Sequence, residues 1–171
     1  MPKVFYKSYF DSPLGQMLAI SDNKFLYLLE FTERKNLDRE IARLKTKIQL
    51  ADSPISRQIK SEIVAYFAGN LTQFRTPIHL PGTDFQQQVW RQVEQVTYGQ
   101  TVTYQDIANK IGKPKASMAV GSANGANQFV ILIPCHRLIR TDGGLAGYAA
   151  GLWRKAALLK MERDNYERKQ L

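Results

Sequence analysis

The chain reads as an α/β first half joined to a mainly α-helical second half that contains a helix-turn-helix. Three observations predict this class: apolar strand-like runs followed by helical spacing before residue 75, a proline- and turn-rich stretch at 75–84, and glycine-interrupted helical periodicity beyond it. The expected domains are residues 1–82, a supporting unit, and residues 83–171, the unit that holds the candidate chemistry.

In the first half "VFYKSYF", "QMLAIS" and "FLYLLEF" read as strands. Asp22, Asn23 and Lys24 supply turn residues between the last two, which predicts an antiparallel hairpin. Leu37, Ile41, Leu44 and Ile48 keep helical spacing. Ser53 as N-cap and Pro54 at the first helical position then open a second helix through Ile55, Ile59, Ile63 and Tyr66, closed by Gly69. No catalytic constellation is visible in this half.

"RTPIHLPGTD" is the expected linker, with His79 as a loop residue. Beyond it Phe85, Val89, Val93 and Val96 predict a helix that ends before Gly99. Thr103 and Asp106 resemble a capping box opening "YQDIANKI", and Gly112 closes that helix. "KPKASMAVGSANGA" is the next candidate helix, so the pair has the outline of a helix-turn-helix. Ala116, Ser117, Ala119, Gly121, Ser122 and Ala123 make the second helix smooth. That suits tight core packing, or close approach to a minor groove; it offers no row of side chains for reading base edges.

The 171 residues carry a formal charge of +9, and residues 85–171 hold 12 Lys and Arg against 6 Asp and Glu. A polyanionic partner fits that excess, which lies in the half with the candidate chemistry. No run is long and apolar enough for a membrane span and "MPKVFYKSYF" lacks a signal-peptide core, so the expectation is a soluble, cytoplasmic protein. One cysteine excludes an internal disulfide, and two histidines, His79 and His136, leave no cluster with zinc-ligand spacing.

That one cysteine stands in "FVILIPCHRLIR". Phe129–Ile133 reads as a short apolar strand that Pro134 ends, so Cys135 is expected at a turn beyond a rigid element. His136, Arg137 and Arg140 follow it, and cationic or proton-accepting neighbours favour thiolate. A lone cysteine is also a common small core residue. Local residues leave both readings open.

Taken together, "FQQQVW", "YGQTVTYQDIANKIGKPKA", "AVGSANGAN", "ILIPCHRLI" and "GGLAGYAAGLWRKAALLKME" resemble the O6-alkylguanine-DNA alkyltransferases, also called methylated-DNA–protein-cysteine methyltransferases. The resemblance runs in register over residues 83–165, and the first half is similar only through its order of strands and helices. It implies a ribonuclease H-like first domain, a winged-helix-like second one, and a cytoplasmic monomer that binds double-stranded DNA through the minor groove. The implied reaction moves the alkyl group from O6 of guanine, with O4-alkylthymine as a second candidate substrate, to Cys135, without metal or cofactor. With no second cysteine to resolve a thioether, each molecule would act once.

By motif position the resemblance implies that Cys135 is the acceptor, His136 the base acting through a water, and Glu162 the acid that orients His136. Lys155, Leu158, Leu159 and Glu162 fall on neighbouring turns of the last helix, which lets Glu162 face inward. Asn127 would hold the backbone before the cysteine against the helix-turn-helix. Tyr104 would donate a proton toward the extruded guanine, assisted by Lys155, and Tyr148 would line the alkyl pocket. The backbones of Leu138 and Ala149 would hold the base edge. Gln86, Gln105, Lys113 and Thr141 would touch the DNA backbone, and Ala116, Ser117 and Gly121 would meet the groove. Where relatives fill the vacated stack with an arginine, this chain has Met118, which can act as an apolar wedge but without charge.

Two other classes compete. A module that marks alkylated DNA without repairing it fits the helix-turn-helix, but alkyltransferase-like relatives lack the acceptor cysteine. A cysteine hydrolase could use Cys135, His136 and Glu162 equally well, and would turn over acyl substrates repeatedly. A transcription regulator of this family would carry an additional cysteine-rich metal-binding domain, which this sequence lacks.

Overall fold

The structure, a computed structural model, describes residues 3–171. It divides into two compact units, one ending at Leu80 and one spanning Pro81–Leu171.

The first unit is a four-stranded sheet with helices. Strands β1 (Phe5–Ser12), β2 (Gly15–Ser21) and β3 (Leu26–Phe31) form antiparallel neighbours, and β4 (Ile48–Leu50) adds parallel to β1, giving the order β3-β2-β1-β4. Met17 to Ser21 and all of β3 are buried without alternation, the pattern of strands covered on both faces. Phe5, Leu18, Ile20, Tyr27 and Leu28 pack with Leu37, Ile41, Leu44 and Ile48. Helix α2 (Pro54–Phe67) packs on β1 and β2, and Ser53 caps it as expected, its side chain accepting from Ser56 N–H at 2.9 Å.

One expectation fails here. Helix α1 stops at Ala42 (Leu37–Ala42), and Ile48 belongs to β4 rather than to a continued helix. Lys45 adopts φ 49°, which breaks the helix, and pairing with β1 then claims Ile48. The expected linker also begins later. Leu26 N–H donates to Pro77 O and His79 N–H to Leu26 O, so the chain through His79 stays on β3, and the His79 ring stacks on Tyr27 at 4.8 Å.

In the second unit α3 (Asp84–Glu94), α4 (Tyr104–Lys110) and α5 (Ser117–Gly125) pack on one another, with α4-turn-α5 forming the helix-turn-helix. Thr83 with Gln86, and Thr103 with Asp106, close reciprocal capping boxes at the starts of α3 and α4. Helix α5 starts at Ser117, shorter than the expected 113–126, because Lys113–Ala116 form the connecting turn. Gly99 is required after α3: its φ is 81°, and a Cβ there would lie 2.5 Å from Tyr166 Cβ. Strands β5 (Val102–Thr103) and β6 (Leu138–Ile139) pair in parallel, and α6 (Leu152–Lys169) packs on the short 3-10 turn Cys135–Arg137.

Among the described residues no helix is long and apolar enough to cross a membrane, and no group of His, Cys, Asp and Glu could hold a metal ion.

Candidate active site

Residues 129–133 are not a strand. They form a buried irregular turn in which Leu132 N–H donates to Val130 O and Ile133 N–H to Phe129 O, with Ile131 at φ 73°. A β-branched residue in that region is strained, and burial holds it there. Asn127 closes the turn from within: its Oδ1 accepts from Phe129 N–H (2.8 Å) and its amide donates to Phe129 O and Ile133 O (3.3 and 2.9 Å). Asn127 also ties this turn to the helix-turn-helix, its N–H donating to Asn124 O on α5 at 3.3 Å, and Asn124 adds a second tie, its amide donating to the Cys135 carbonyl at 3.1 Å. Trp90 of α3 in turn donates its indole N–H to Ala123 O at 2.8 Å, fixing α5.

Nothing in the sequence reading marked Asn124. Its position one helical turn after Val120, on the buried side of a helix of small residues, was the available signal. Asn124→Ala leaves the Cys135 carbonyl without this donor in a buried site, a cost of about 1–3 kcal/mol measurable by urea denaturation.

The turn delivers Cys135, 6% exposed, and His136, fully buried. His136 Nε2 lies 2.8 Å from Glu162 Oε2 on α6, and its Nδ1 has no hydrogen-bond partner among the described residues. The geometry matches an Nε2–H donor with the lone pair on Nδ1. Burial holds His136 below the ordinary histidine range, against the pull of Glu162, and so favours that neutral ring.

The Arg137 guanidinium bonds to groups other than the sulfur. Its Nε and Nη2 donate to Glu162 Oε1 and Oε2 (2.7 and 2.9 Å), its Nη1 donates to Val96 O (2.7 Å), and the guanidinium lies 5.5 Å from the Tyr98 ring centroid. Burial alone would raise the Glu162 carboxyl, but His136 and this bidentate arginine outweigh it and bring the carboxyl to about 2. Glu162 is therefore a fixed anion that both orients His136 and neutralises Arg137.

Arg140 pairs with Asp142. Lys155, from α6, is a cation that interacts with Cys135. Burial lowers Lys155 to about 8, while the cysteine's charge pulls the other way. Lys155 Nζ donates to Ala146 O (2.8 Å) and to the Tyr104 hydroxyl (3.2 Å), and Tyr104 donates to the same carbonyl (3.1 Å). Burial, then the cysteine's charge, raises the Tyr104 hydroxyl, which keeps it protonated.

An open cleft of about 1090 Å³ adjoins this site. Tyr104, Gln105, Ser117, Met118, Gly121, Thr141, Tyr148 and Ala149, all singled out from the sequence, line it, and Arg140 and Asp142 join them. Met118 is 88% exposed. Of the other residues named by the resemblance, Leu138 is buried in β6, Gln86 caps α3, Lys113 sits over the Phe85 ring at 5.2 Å, and Ala116 precedes α5. Gln105 also ties the turn, donating to Pro114 O at 2.7 Å.

Comparison with known proteins decides the family. Residues 84–164 match the DNA binding domain of 6-O-methylguanine DNA methyltransferase, and residues 5–80 match its ribonuclease-like domain. The chain belongs to the 6-O-methylguanine DNA methyltransferase family. It is 40% identical to the methylated-DNA–protein-cysteine methyltransferase of Methanosarcina acetivorans over 162 residues, covering 92% of this chain and 97% of that one. It is also 46% identical over 132 residues to Escherichia coli Ada, a bifunctional transcriptional activator and DNA repair enzyme, covering 75% of this chain and 37% of Ada. The structure of Mycobacterium tuberculosis OGT in complex with DNA superposes with a TM-score of 0.84 at 38% identity, covering 94% of each chain. The two family models match the two units in order, residues 5–80 in the first and 84–164 in the second.

Proposed function

We propose that this protein repairs O6-alkylguanine in double-stranded DNA by moving the alkyl group to Cys135 Sγ, once per molecule. The observation that carries this reading is a single cysteine on a turn braced by Asn124 and Asn127, followed by a buried His136–Glu162–Arg137 relay and set beside a cleft lined by the helix-turn-helix. A binding module needs none of the relay, and the family assignment favours the enzyme.

The thiol proton passes to His136 Nδ1, through a water. The thiolate attacks the alkyl carbon; the S–C bond forms as the C–O6 bond breaks, and the electron pair returns to the guanine ring. Tyr104 supplies the proton that restores neutral guanine and regains one from Lys155 behind its hydroxyl, so the proton gained at His136 balances the one lost from the Tyr104–Lys155 pair. No redox step arises, and thiolate suffices as a soft nucleophile. Reaching O6 requires the nucleotide to leave the stack, at a cost of a few kcal/mol. The smooth face of α5 suits the minor groove, with exposed Met118 as the wedge that occupies the vacated space.

Intact-protein and peptide mass spectrometry after incubation with a duplex carrying one O6-methylguanine tests this. One methyl increment per chain, on the Cys135 peptide and matched by lesion loss, is expected. Repeated turnover without modification would point to a hydrolase, and an unmodified chain bound to the lesion to a binding module. The transfer rate is also expected to fall as pH rises through about 8, where Lys155 loses its proton. Single-turnover rates of the wild type and of Lys155→Met check this: the variant is slower and lacks that alkaline limb.

A further inference from the structure

Arg140 and Asp142 stand on the rim of the cleft, and the reaction just described uses neither. Among the described residues that line the cleft, Arg140 is the one cation and Asp142 the one anion. They pair, Nη2 to Oδ2 at 3.1 Å, with both side chains more than half exposed.

The two halves of the pair are held differently. Asp142 is anchored by its own turn, Oδ1 accepting from Gly144 N–H at 2.8 Å, while Arg140 N–H donates to Gly144 O and Gly143 N–H to Arg140 O. A Cβ on Gly144 would lie only 3.0 Å from Asp142 Oδ1, so the carboxylate fits closely over a residue without a side chain. Arg140 instead extends a long side chain across the turn to that fixed carboxylate. Exposed pairs of this kind are weak and screened by salt, and a guanidinium matches phosphate geometry well. Helix α5 brings Met118, not a cation, to the same cleft.

We propose that Arg140 is a DNA phosphate contact that Asp142 holds in check. On docking, the guanidinium leaves the carboxylate for a phosphodiester of the strand that runs along the cleft. Asp142 thereby lowers affinity for all duplex, damaged or not. The inference rests on DNA occupying this cleft, as proposed above. Each phosphate neutralised by a cation releases condensed counterions, but a carboxylate uncovered at the same moment takes a cation back. Asp142 therefore also flattens the salt dependence of binding.

The test is fluorescence-anisotropy titration of the full chain carrying Cys135→Ala with duplexes that contain or lack one O6-methylguanine, from about 50 to 200 mM KCl. Asp142→Asn keeps an Oδ1 acceptor for Gly144 N–H and removes the charge together with the Oδ2 acceptor that holds Arg140. It is expected to tighten both complexes about threefold or more and to steepen the log–log salt slope by about one ion. Arg140→Ala weakens both and flattens the slope, and in that background Asp142→Asn changes the slope little. Undiminished tightening without Arg140 would mean general repulsion and overturn the inference, as would Asp142→Asn with unchanged affinity and slope. Methyl transfer is followed in parallel on the chain with its cysteine intact. Transfer without the Asp142 effect removes this inference alone; absence of both transfer and lesion binding removes the proposed function and this inference with it.

Discussion

Cys135→Ala and Cys135→Ser are expected to transfer no methyl group and still to bind the lesion duplex. The chain has one thiol, so no second sulfur can take over. Serine fills nearly the same space, but its hydroxyl ionises far above neutral pH and is a poor nucleophile toward an alkyl carbon, even beside His136. The alanine variant loses one buried sulfur at 6% exposure, a packing cost on the order of 1 kcal/mol, so the fold and the cleft persist. Intact mass and anisotropy on the same samples check both halves of the result. A methyl group found on another residue of Cys135→Ala would remove Cys135 as the acceptor.

Glu162→Ala damages both reaction and fold. The carboxylate is 1% exposed and bonded to His136 and, through Nε and Nη2, to one edge of the Arg137 guanidinium, so its removal strands a buried cation. Breaking one side of such a pair costs about 3–5 kcal/mol. With the His136 ring no longer held, general-base assistance is lost and transfer slows by about 100-fold or more. Glu162→Gln is the milder change: it keeps the side-chain volume and one acceptor oxygen, but loses the charge and turns the other acceptor into a donor facing His136 or Arg137. In the wild type the carboxyl titrates near 2 when folded against an ordinary 4.5, so the unfolded chain binds more protons between those values. Stability from Glu162 is thus complete above about 4.5 and lost as pH falls toward 2. His136, held below its ordinary 6.5, works in the same direction, because the unfolded chain protonates first as pH falls below that value. Denaturation midpoints across the acid range should show a shallower decline in Glu162→Gln below pH 4.5 than in the wild type.

Two helix starts were legible because a local device sets them, while the equally local Thr83–Gln86 box of α3 went unread inside the expected linker. Ser53–Pro54 and Thr103 with Asp106 announce α2 and α4 because the cap and its partner lie within one turn of chain. Cys135, His136 and Glu162 were legible as a set only through the resemblance, since 26 residues separate the histidine from its carboxylate. Residues 129–133 misled because a turn buried on all sides and a buried strand share one signature, an unbroken apolar run. The left-handed conformation of Ile131 has no local signal at all; surrounding packing imposes it. Arg137 and Asn124 were missed for a related reason. Each takes a distant partner, Glu162 and the Cys135 carbonyl, where the sequence offered the sulfur or nothing.

The bond from Asn124 to the Cys135 carbonyl limits how α5 can move. On the proposed docking, this helix meets the minor groove on one side and steadies the nucleophile's own peptide group on the other. A tilt of α5 to follow a groove would misplace the sulfur. Adjustment therefore falls to the duplex: this protein acts as a rigid gauge, and the ease with which each DNA site bends and opens becomes what it measures.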